Sequence, residues 1–255
     1  MKKLALTSLL AMFAVSGAHA ANIIDGNPLY MPKAGNFYSV TALGSHSEHT
    51  EDWGLSEEFG YGVTDKLAIN VETSVSEQES FDAYGWDEIS VNGAFRALDN
   101  GAWKLDLVGG YGVTPVYPYH RPFMAKEDTM YGWMVGVRGG YVADSWTVAG
   151  HVMFSYIGDE TFNWGDEGMH LWIAGVDGQL LLDANWNLVA GLEYTGMSDD
   201  WAKNAGSWTG EFGVNYNINP SAFVGAYINT EVAHYTGDWE FEDGFGFGMK
   251  FGIDF

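Results

Sequence analysis

The chain ends with Phe245-Gly246-Phe247-Gly248-Met249-Lys250-Phe251-Gly252-Ile253-Asp254-Phe255. Every second residue of this stretch is large and apolar, and the residues between them are glycine or charged. Successive side chains of a β-strand point to opposite faces, so the stretch predicts a strand with one apolar face and one small or polar face. A soluble β-sandwich can contain one such strand, so the fold depends on whether the pattern recurs.

The same alternation recurs along residues 36–255. The predicted strands are 36–47, 52–63, 67–78, 86–98, 102–114, 130–143, 146–158, 168–182, 186–198, 206–218, 222–235 and 243–255. Their connections alternate between short turns and longer, acidic loops. An even number of strands of about ten residues, joined in this way, is typical of outer-membrane barrels. The sequence therefore predicts an all-β fold, a transmembrane antiparallel β-barrel of about 12 strands, with short periplasmic turns and longer extracellular loops.

The positions of proline and tryptophan agree with this scheme. None of the 6 prolines interrupts a predicted strand, as a closed hydrogen-bonded barrel requires. Trp103, Trp146 and Trp186 each follow a short turn, whereas most other tryptophans lie at the long-loop ends of the strands. Aromatic side chains are enriched at membrane interfaces, so we expect one girdle at each end of the barrel. In strands eight and eleven both faces are apolar, and their register stays undecided.

The last strand resembles the C-terminal signal of Gram-negative outer-membrane barrels, which ends in an aromatic residue preceded by alternating apolar residues. The matching positions are Phe251, Ile253 and Phe255. Residues 58–67 are similar to hairpins of uncharacterised, small porin-like members of that group. The resemblance implies location in the outer membrane, contact with its lipid and lipopolysaccharide, and assembly by the barrel-assembly machinery.

The first residues predict an export signal. Lys2 and Lys3 precede an apolar stretch, and Ala18-His19-Ala20 has the small-x-small pattern of a cleavage site. The expected organisation is a signal peptide at 1–20, an N-terminal lead at 21–35 and the barrel at 36–255. The chain has no cysteine, so it offers neither a lipid attachment site nor thiolate metal ligands.

The charge balance excludes one class of partner. The chain contains 34 Asp and Glu against 11 Lys and Arg. We therefore expect no binding to nucleic acid, which is polyanionic.

The polar face of the predicted strands carries ionisable side chains that water or partners must reach. This set consists of Glu58, Glu72, Glu88, Arg96, Lys104, Asp106, Arg138, His151, Glu193, Glu211, Lys250 and Asp254. The candidate pore-lining residues among them are Glu58, Glu72, Arg96, Lys104, Asp106, Arg138, Glu193, Glu211 and Lys250.

In a barrel of eight strands the side chains just fill the interior, whereas sixteen or more strands leave an open channel. A barrel of twelve strands lies between these two cases. Inner-face glycines such as Gly60 and Gly248 reduce the filling, which favours a narrow water-filled pore over a closed ion-paired interior. The excess of inner carboxylates favours cations over anions. The leading hypothesis is passive diffusion of small neutral or cationic solutes, with no catalytic residue, cofactor or metal.

The loop at 115–130 could constrict this pore through Tyr119, His120, Arg121 and Lys126, or be an ordinary surface loop. The lead could lie at the periplasmic mouth or enter it. Clusters of carboxylates in the other loops could bind divalent cations, including those that bridge lipopolysaccharide, although solvated charge is the simpler interpretation.

Two alternatives to a pore remain open. A non-conducting structural or adhesion barrel would act through the acidic loops. A lipid-modifying enzyme is less favoured, because His151 and Ser155 lie four residues apart on one predicted strand, too far for a direct hydrogen bond. His170 and His234 lie near the predicted outer rim, where lipid chemistry would take place. His46 and His49 lack a further metal ligand.

Overall fold

The computed structural model describes residues 28–45, 53–78, 83–116, 128–159, 168–198, 206–234 and 244–255. They form twelve strands: β1 Phe37–Ser45, β2 Trp53–Thr64, β3 Leu67–Gln78, β4 Ala83–Asp99, β5 Trp103–Val116, β6 Asp128–Val142, β7 Trp146–Asp159, β8 Met169–Leu181, β9 Trp186–Met197, β10 Gly206–Asn219, β11 Ala222–His234 and β12 Gly244–Asp254. The predicted strands are confirmed, and the largest difference in a strand start is β4, which begins at Ala83 rather than residue 86. None of the described residues belongs to a helix long and apolar enough to cross a membrane.

Each strand pairs antiparallel with its sequence neighbours, and β1 pairs with β12 to close the barrel. Closure pairs every strand on both sides, so no sheet edge is left with unpaired backbone groups inside the membrane. Near the seam, Phe37 and Phe255 exchange backbone hydrogen bonds at 2.8 and 2.9 Å, which ties the chain's last residue to the start of β1. The predicted fold class is therefore confirmed.

The outer face is apolar and carries aromatic contacts at both ends. At the short-turn end, Trp103 packs on Tyr141 and Tyr141 on Trp146, with ring centroids 5.2 and 5.4 Å apart. At the long-loop end, Trp53 packs against Phe247 at 5.6 Å. These rings mark the two membrane interfaces.

The register of strands eight and eleven is settled by burial. On β8, Leu171 and Ile173 are fully buried inside the barrel, whereas Trp172 is 51% exposed on the outside. On β11, Phe223 lies inside and Val224 outside. Both faces of β8 read as apolar because the inner wall beside it is also apolar, with Met153 contributed by β7.

Candidate functional site: the barrel lumen

A buried ion-pair cluster joins β4, β5 and β6. Asp106 is fully buried, and it lies directly beside Arg96 on one neighbouring strand and Arg138 on the other. Arg96 donates to both carboxylate oxygens of Asp106, and Arg138 Nη2 donates to Oδ2 at 3.0 Å. Two guanidinium groups therefore share one carboxylate. This arrangement compensates part of the cost of burying the three charges.

A second cluster surrounds His151 on β7. Its Nδ1 lies 3.2 Å from Asp177 on β8, and its Nε2 lies 2.9 Å from Glu193 on β9. The histidine reaches β9 by crossing β8 at Gly175, where an added Cβ would lie 2.6 Å from the imidazole ring. Glycine at this position therefore permits the contact between strands that are not adjacent.

The geometry does not bring His151 to a hydroxyl nucleophile. Both of its ring nitrogens face carboxylates, and Ser155 instead donates to the backbone carbonyl of Trp133 at 3.3 Å. His170 lies on the outer face, where its ring packs against Phe154 at 5.8 Å and Tyr156 at 5.1 Å.

The remaining inner cations also face carboxylates. Lys250 Nζ lies 2.5 Å from Glu211 Oε1 and 4.4 Å from the centre of the Tyr227 ring. Lys104 Nζ lies 3.6 Å from Asp99 near a short turn. The inner wall thus neutralises each of its described lysines and arginines with at least one carboxylate.

The wall formed by β1, β2 and β3 is different, because its buried carboxylate Glu58 accepts hydrogen bonds from neutral donors. Glu58 is buried and accepts hydrogen bonds at Oε1 from the Tyr38 hydroxyl at 2.5 Å and the Asn70 amide at 2.7 Å. Asn70 also donates to Glu72 at 2.8 Å. Glu58 and Glu72 are directly opposite each other in the β2–β3 register, and the Asn70 amide links them. The second oxygen of Glu58, Oε2, is buried without a partner among the described residues.

Inner-face glycines do not leave empty space, contrary to the expectation from the sequence. The Tyr38 ring lies over Gly60, and the Tyr227 ring lies over Gly248, so a Cβ at either glycine would overlap the neighbouring ring. The glycines allow large side chains to lie flat along the wall. A ring that lies flat narrows the lumen less than a ring that projects into it. The glycines therefore do not leave the lumen open.

The described part of the N-terminal lead, from residue 28, enters the barrel at the short-turn end. Leu29 is fully buried, and its carbonyl accepts a hydrogen bond of 2.6 Å from Arg96. The Tyr30 hydroxyl donates to Asp254 at 2.9 Å, and its ring packs edge-on against Tyr38 at 6.2 Å. Of the two positions left open by the sequence, the described part of the lead occupies the interior one.

A cavity of about 70 Å³ remains between the lead and the walls, enough for several water molecules. Its lining includes Met31 of the lead, Asn70 and Glu72 of β3, and Arg138 and His151 on β6 and β7. The Nε atom of Arg138 is buried without a partner among the described residues, as is Glu58 Oε2. Unpaired buried polar atoms of this kind require water or a solute.

The nine candidate pore-lining residues all lie at inward-facing positions of their strands and are buried or half-buried. Sequence reasoning missed Asp177, because the register of β8 was undecided, and it missed the partners Tyr38 and Asn70. The side chain of Glu88, the loop residues Tyr119, His120, Arg121 and Lys126, and most of the acidic loop clusters lie outside the described residues. So do His46, His49 and the predicted signal peptide. Within the described ranges, no group of three or more His, Asp and Glu side chains could hold a metal ion.

Comparison with known proteins supports the fold but assigns no family. No family model matches the sequence, and no curated protein is significantly similar to it. Among solved structures, the NanC porin superposes with a TM-score of 0.62 at 7% identity, covering 84% of this chain and 98% of that one.

Two other barrels are similar at the same level. The translocator domain of the autotransporter NalP from Neisseria meningitidis has a TM-score of 0.62 at 12% identity, covering 98% of this chain and 96% of that one. An outer-membrane channel from Pseudomonas putida F1 gives 0.57 at 13% identity, covering 89% and 97%. The chain therefore has the fold of a small outer-membrane β-barrel, which it shares with the NanC porin.

Proposed function

We propose that the chain is an outer-membrane pore for passive diffusion of small neutral or cationic solutes. Transfer would involve no covalent step, and selection would depend on the width of the lumen and the field of its carboxylates. The fold of the NanC porin and of the Pseudomonas channel supports this proposal as an analogy only, because one fold hosts several functions.

The observation that carries the proposal is Glu58. A buried carboxylate oxygen with no hydrogen-bond partner is costly unless water or a cation reaches it. The hydrogen-bond donors to Glu58, Tyr38 and Asn70, are both neutral, so within the described residues no lysine or arginine forms a direct ion pair with it. This wall would attract cations entering the lumen.

The inner charges of the described strands sum to a net negative charge. Inward-facing carboxylates of the described strands are Glu58, Glu72, Asp99, Asp106, Asp177, Glu193, Glu211, Glu231 and Asp254, whereas the inward-facing lysines and arginines are Arg96, Lys104, Arg138 and Lys250. A pore lined by this excess would conduct K⁺ in preference to Cl⁻.

The lead limits what could pass. Leu29 and Tyr30 occupy part of the mouth at the short-turn end, so a pore with the lead in this position would admit only small solutes. We include the lead in the pore as its constriction. Residues 1–20 would be removed during export, and the barrel-assembly machinery would recognise Phe251, Ile253 and Phe255. Lipid, lipopolysaccharide and divalent cations at the acidic loops complete the proposed partners.

The test is conductance in a planar bilayer under a KCl gradient, with the refolded chain. We expect discrete steps and a reversal potential that indicates K⁺ preference, which Glu58→Gln should reduce. Glu57→Gln is the matched control, because it removes the same charge from the neighbouring residue on the outer face. Anion preference, or equal effects of both substitutions, would contradict the proposal.

A second candidate function is a structural or adhesion barrel with a closed interior. The fully buried Leu29 and the buried Leu171 and Ile173 favour it, because they fill part of the lumen. A folded protein that stays electrically silent, also after removal of residues 21–34, would support this candidate against the pore.

A further inference from the structure

The outer face of β1–β3 carries a group of polar side chains, which we call the β1–β3 polar patch: Ser39, Thr41, Glu57 and Thr73. Ser39 Oγ donates to Glu57 Oε1 at 2.5 Å, and Thr41 Oγ1 donates to Oε2 at 2.6 Å. Thr41 and Thr73 are the cross-strand neighbours of Glu57 on its two sides. Three adjacent strands therefore contribute to one small polar area around a carboxylate.

This patch lies in the middle of the membrane-facing surface. On β2, the residues that share the outer face with Glu57 are Leu55 and Phe59, which are 45% and 43% exposed. The same face continues to Trp53 at one end and to Tyr61 at the other. Trp53 packs on Phe247 and Tyr61 packs on Phe37, at 5.6 and 4.5 Å, within the two aromatic girdles. Glu57 stands midway between these girdles.

No comparable feature occurs elsewhere on the outer face of the described strands. Between the girdles, the outward positions of the other strands are occupied mainly by apolar residues and glycine, such as Leu107 on β5, Val137 on β6 and Val176 on β8. Within the described ranges, Glu57 is the one Asp, Glu, Lys or Arg that faces outward at this depth. Ionisable side chains facing lipid are costly, and they usually pair with a partner.

The patch offers hydrogen-bonding capacity that the single chain does not use. A carboxylate has about four acceptor positions, and Ser39 and Thr41 occupy two of those on Glu57. The Thr73 hydroxyl has no partner among the described residues. It is covered in the single chain, and rotation about its Cα–Cβ bond would turn it outward. One patch thus holds both spare acceptors and a spare donor.

We propose that the β1–β3 polar patch is the contact surface for a second copy of this chain within the membrane. In a two-fold arrangement, the donor of each patch meets the acceptor of the other, because both copies present the same surface. Outside the patch, the described outer face at this depth is mainly apolar, so a head-to-tail contact would place Glu57 against residues that cannot donate a hydrogen bond to it. Hydrogen bonds of this kind stabilise association in lipid, where water does not compete.

The proposal can be tested with single cysteines, because the chain has none of its own. Leu55→Cys places a thiol at the edge of the patch, and Val176→Cys on β8 is the matched control on the opposite side of the barrel. Each protein is reconstituted into phospholipid vesicles at a low protein-to-lipid ratio and treated with a short bismaleimide. We expect at least about tenfold more dimer from Leu55→Cys. Equal yields at both positions would overturn the proposal.

A second variant separates association from folding. Combining Leu55→Cys with Glu57→Leu should lower the dimer yield about tenfold, because the leucine matches the lipid-facing residues around it but cannot accept hydrogen bonds. Circular dichroism should stay unchanged, and the resistance of the folded barrel to detergent should not fall. An undiminished dimer yield would overturn the proposal. So would cross-linking in cells to a different outer-membrane protein but not to a second copy.

Discussion

Glu57 and Glu58 are adjacent on β2, yet they lie on opposite sides of the barrel wall. Glu58 faces the lumen, where the Tyr38 hydroxyl and the Asn70 amide donate to it. Glu57 faces the membrane, where the hydroxyls of Ser39 and Thr41 donate to it. The chain therefore surrounds both carboxylates with neutral donors from neighbouring strands, and it does so independently on each face.

The difference between the two sites is in their surroundings. Around Glu58, the wall is polar, and a cavity with Arg138 on its lining is near. Around Glu57, the neighbours on the same face are Leu55 and Phe59, and lipid lies beyond them. An inward carboxylate can be hydrated or bind a passing cation. An outward carboxylate has only the two hydroxyl donors and lipid around it, so the same residue type meets different surroundings on the two faces.

The largest expected effect is on the free energy of unfolding, which leucine at position 58 and leucine at position 57 should change in opposite directions. Glu58→Leu should lower the free energy of unfolding by roughly 2 to 4 kcal/mol, because it leaves buried donors of Tyr38 and Asn70 without their acceptor. Glu57→Leu should raise it by roughly 1 kcal/mol, because a polar side chain leaves the lipid-facing surface. Urea unfolding of both variants in detergent, at concentrations that keep chains separate, measures the difference.

If both leucine variants change the free energy of unfolding in the same direction, the two glutamates do not differ as proposed. If both substitutions destabilise the barrel, Glu57 contributes to the fold through Ser39 and Thr41 as Glu58 does through Tyr38. The isosteric variants Glu57→Gln and Glu58→Gln control for side-chain volume, and both should have smaller effects than the leucine variants.

A smaller effect is expected from the glycine that supports Glu58. Gly60→Ala adds a Cβ where the Tyr38 ring lies, so the ring and its hydroxyl must move. We expect a loss of about 2 kcal/mol in the free energy of unfolding. Gly93→Ala is the matched control, because its added Cβ would meet only the Ala68 carbonyl at 3.7 Å. That variant should stay within about 0.5 kcal/mol of the parent, and equal effects would show that Tyr38 is free to shift.

The strands could be predicted closely because their signals are local. Alternation of apolar residues and the aromatic residues at strand ends are both visible within a single segment, as in residues 245–255. The prediction failed to settle β8, because Leu171 and Ile173 face an apolar part of the interior and leave both faces of the strand apolar. Asp177 was missed for the same reason.

The contacts of the lumen could not be predicted to the same extent, because they join distant parts of the chain. The hydrogen bond from Arg96 to the carbonyl of Leu29 spans 67 residues, and the lead has no periodicity that would indicate its position. The pair formed by His151 and Glu193 depends on crossing β8 at Gly175, which requires the register of three strands. The alternation of side chains along β2 is enough to predict that Glu57 faces outward. Its hydroxyl partners can be identified only once the register between β1 and β2 is known.

The smallest expected effect concerns two hydroxyls of β1 that lie on opposite faces. Tyr38 donates to Glu58 inside the barrel, and Ser39 donates to Glu57 outside it. Tyr38→Phe removes the donor to Glu58 but keeps the ring over Gly60, so the barrel should lose about 1 kcal/mol. Glu58 then keeps the Asn70 amide at Oε1 and gains acceptor capacity toward the lumen, so the reversal potential should shift further toward K⁺. Ser39→Ala is the matched change on the outer face and should leave the reversal potential unchanged. A shift of equal size in both variants would mean that the hydroxyls of β1 act on the lumen through the backbone, and that the two faces of β2 are not independent.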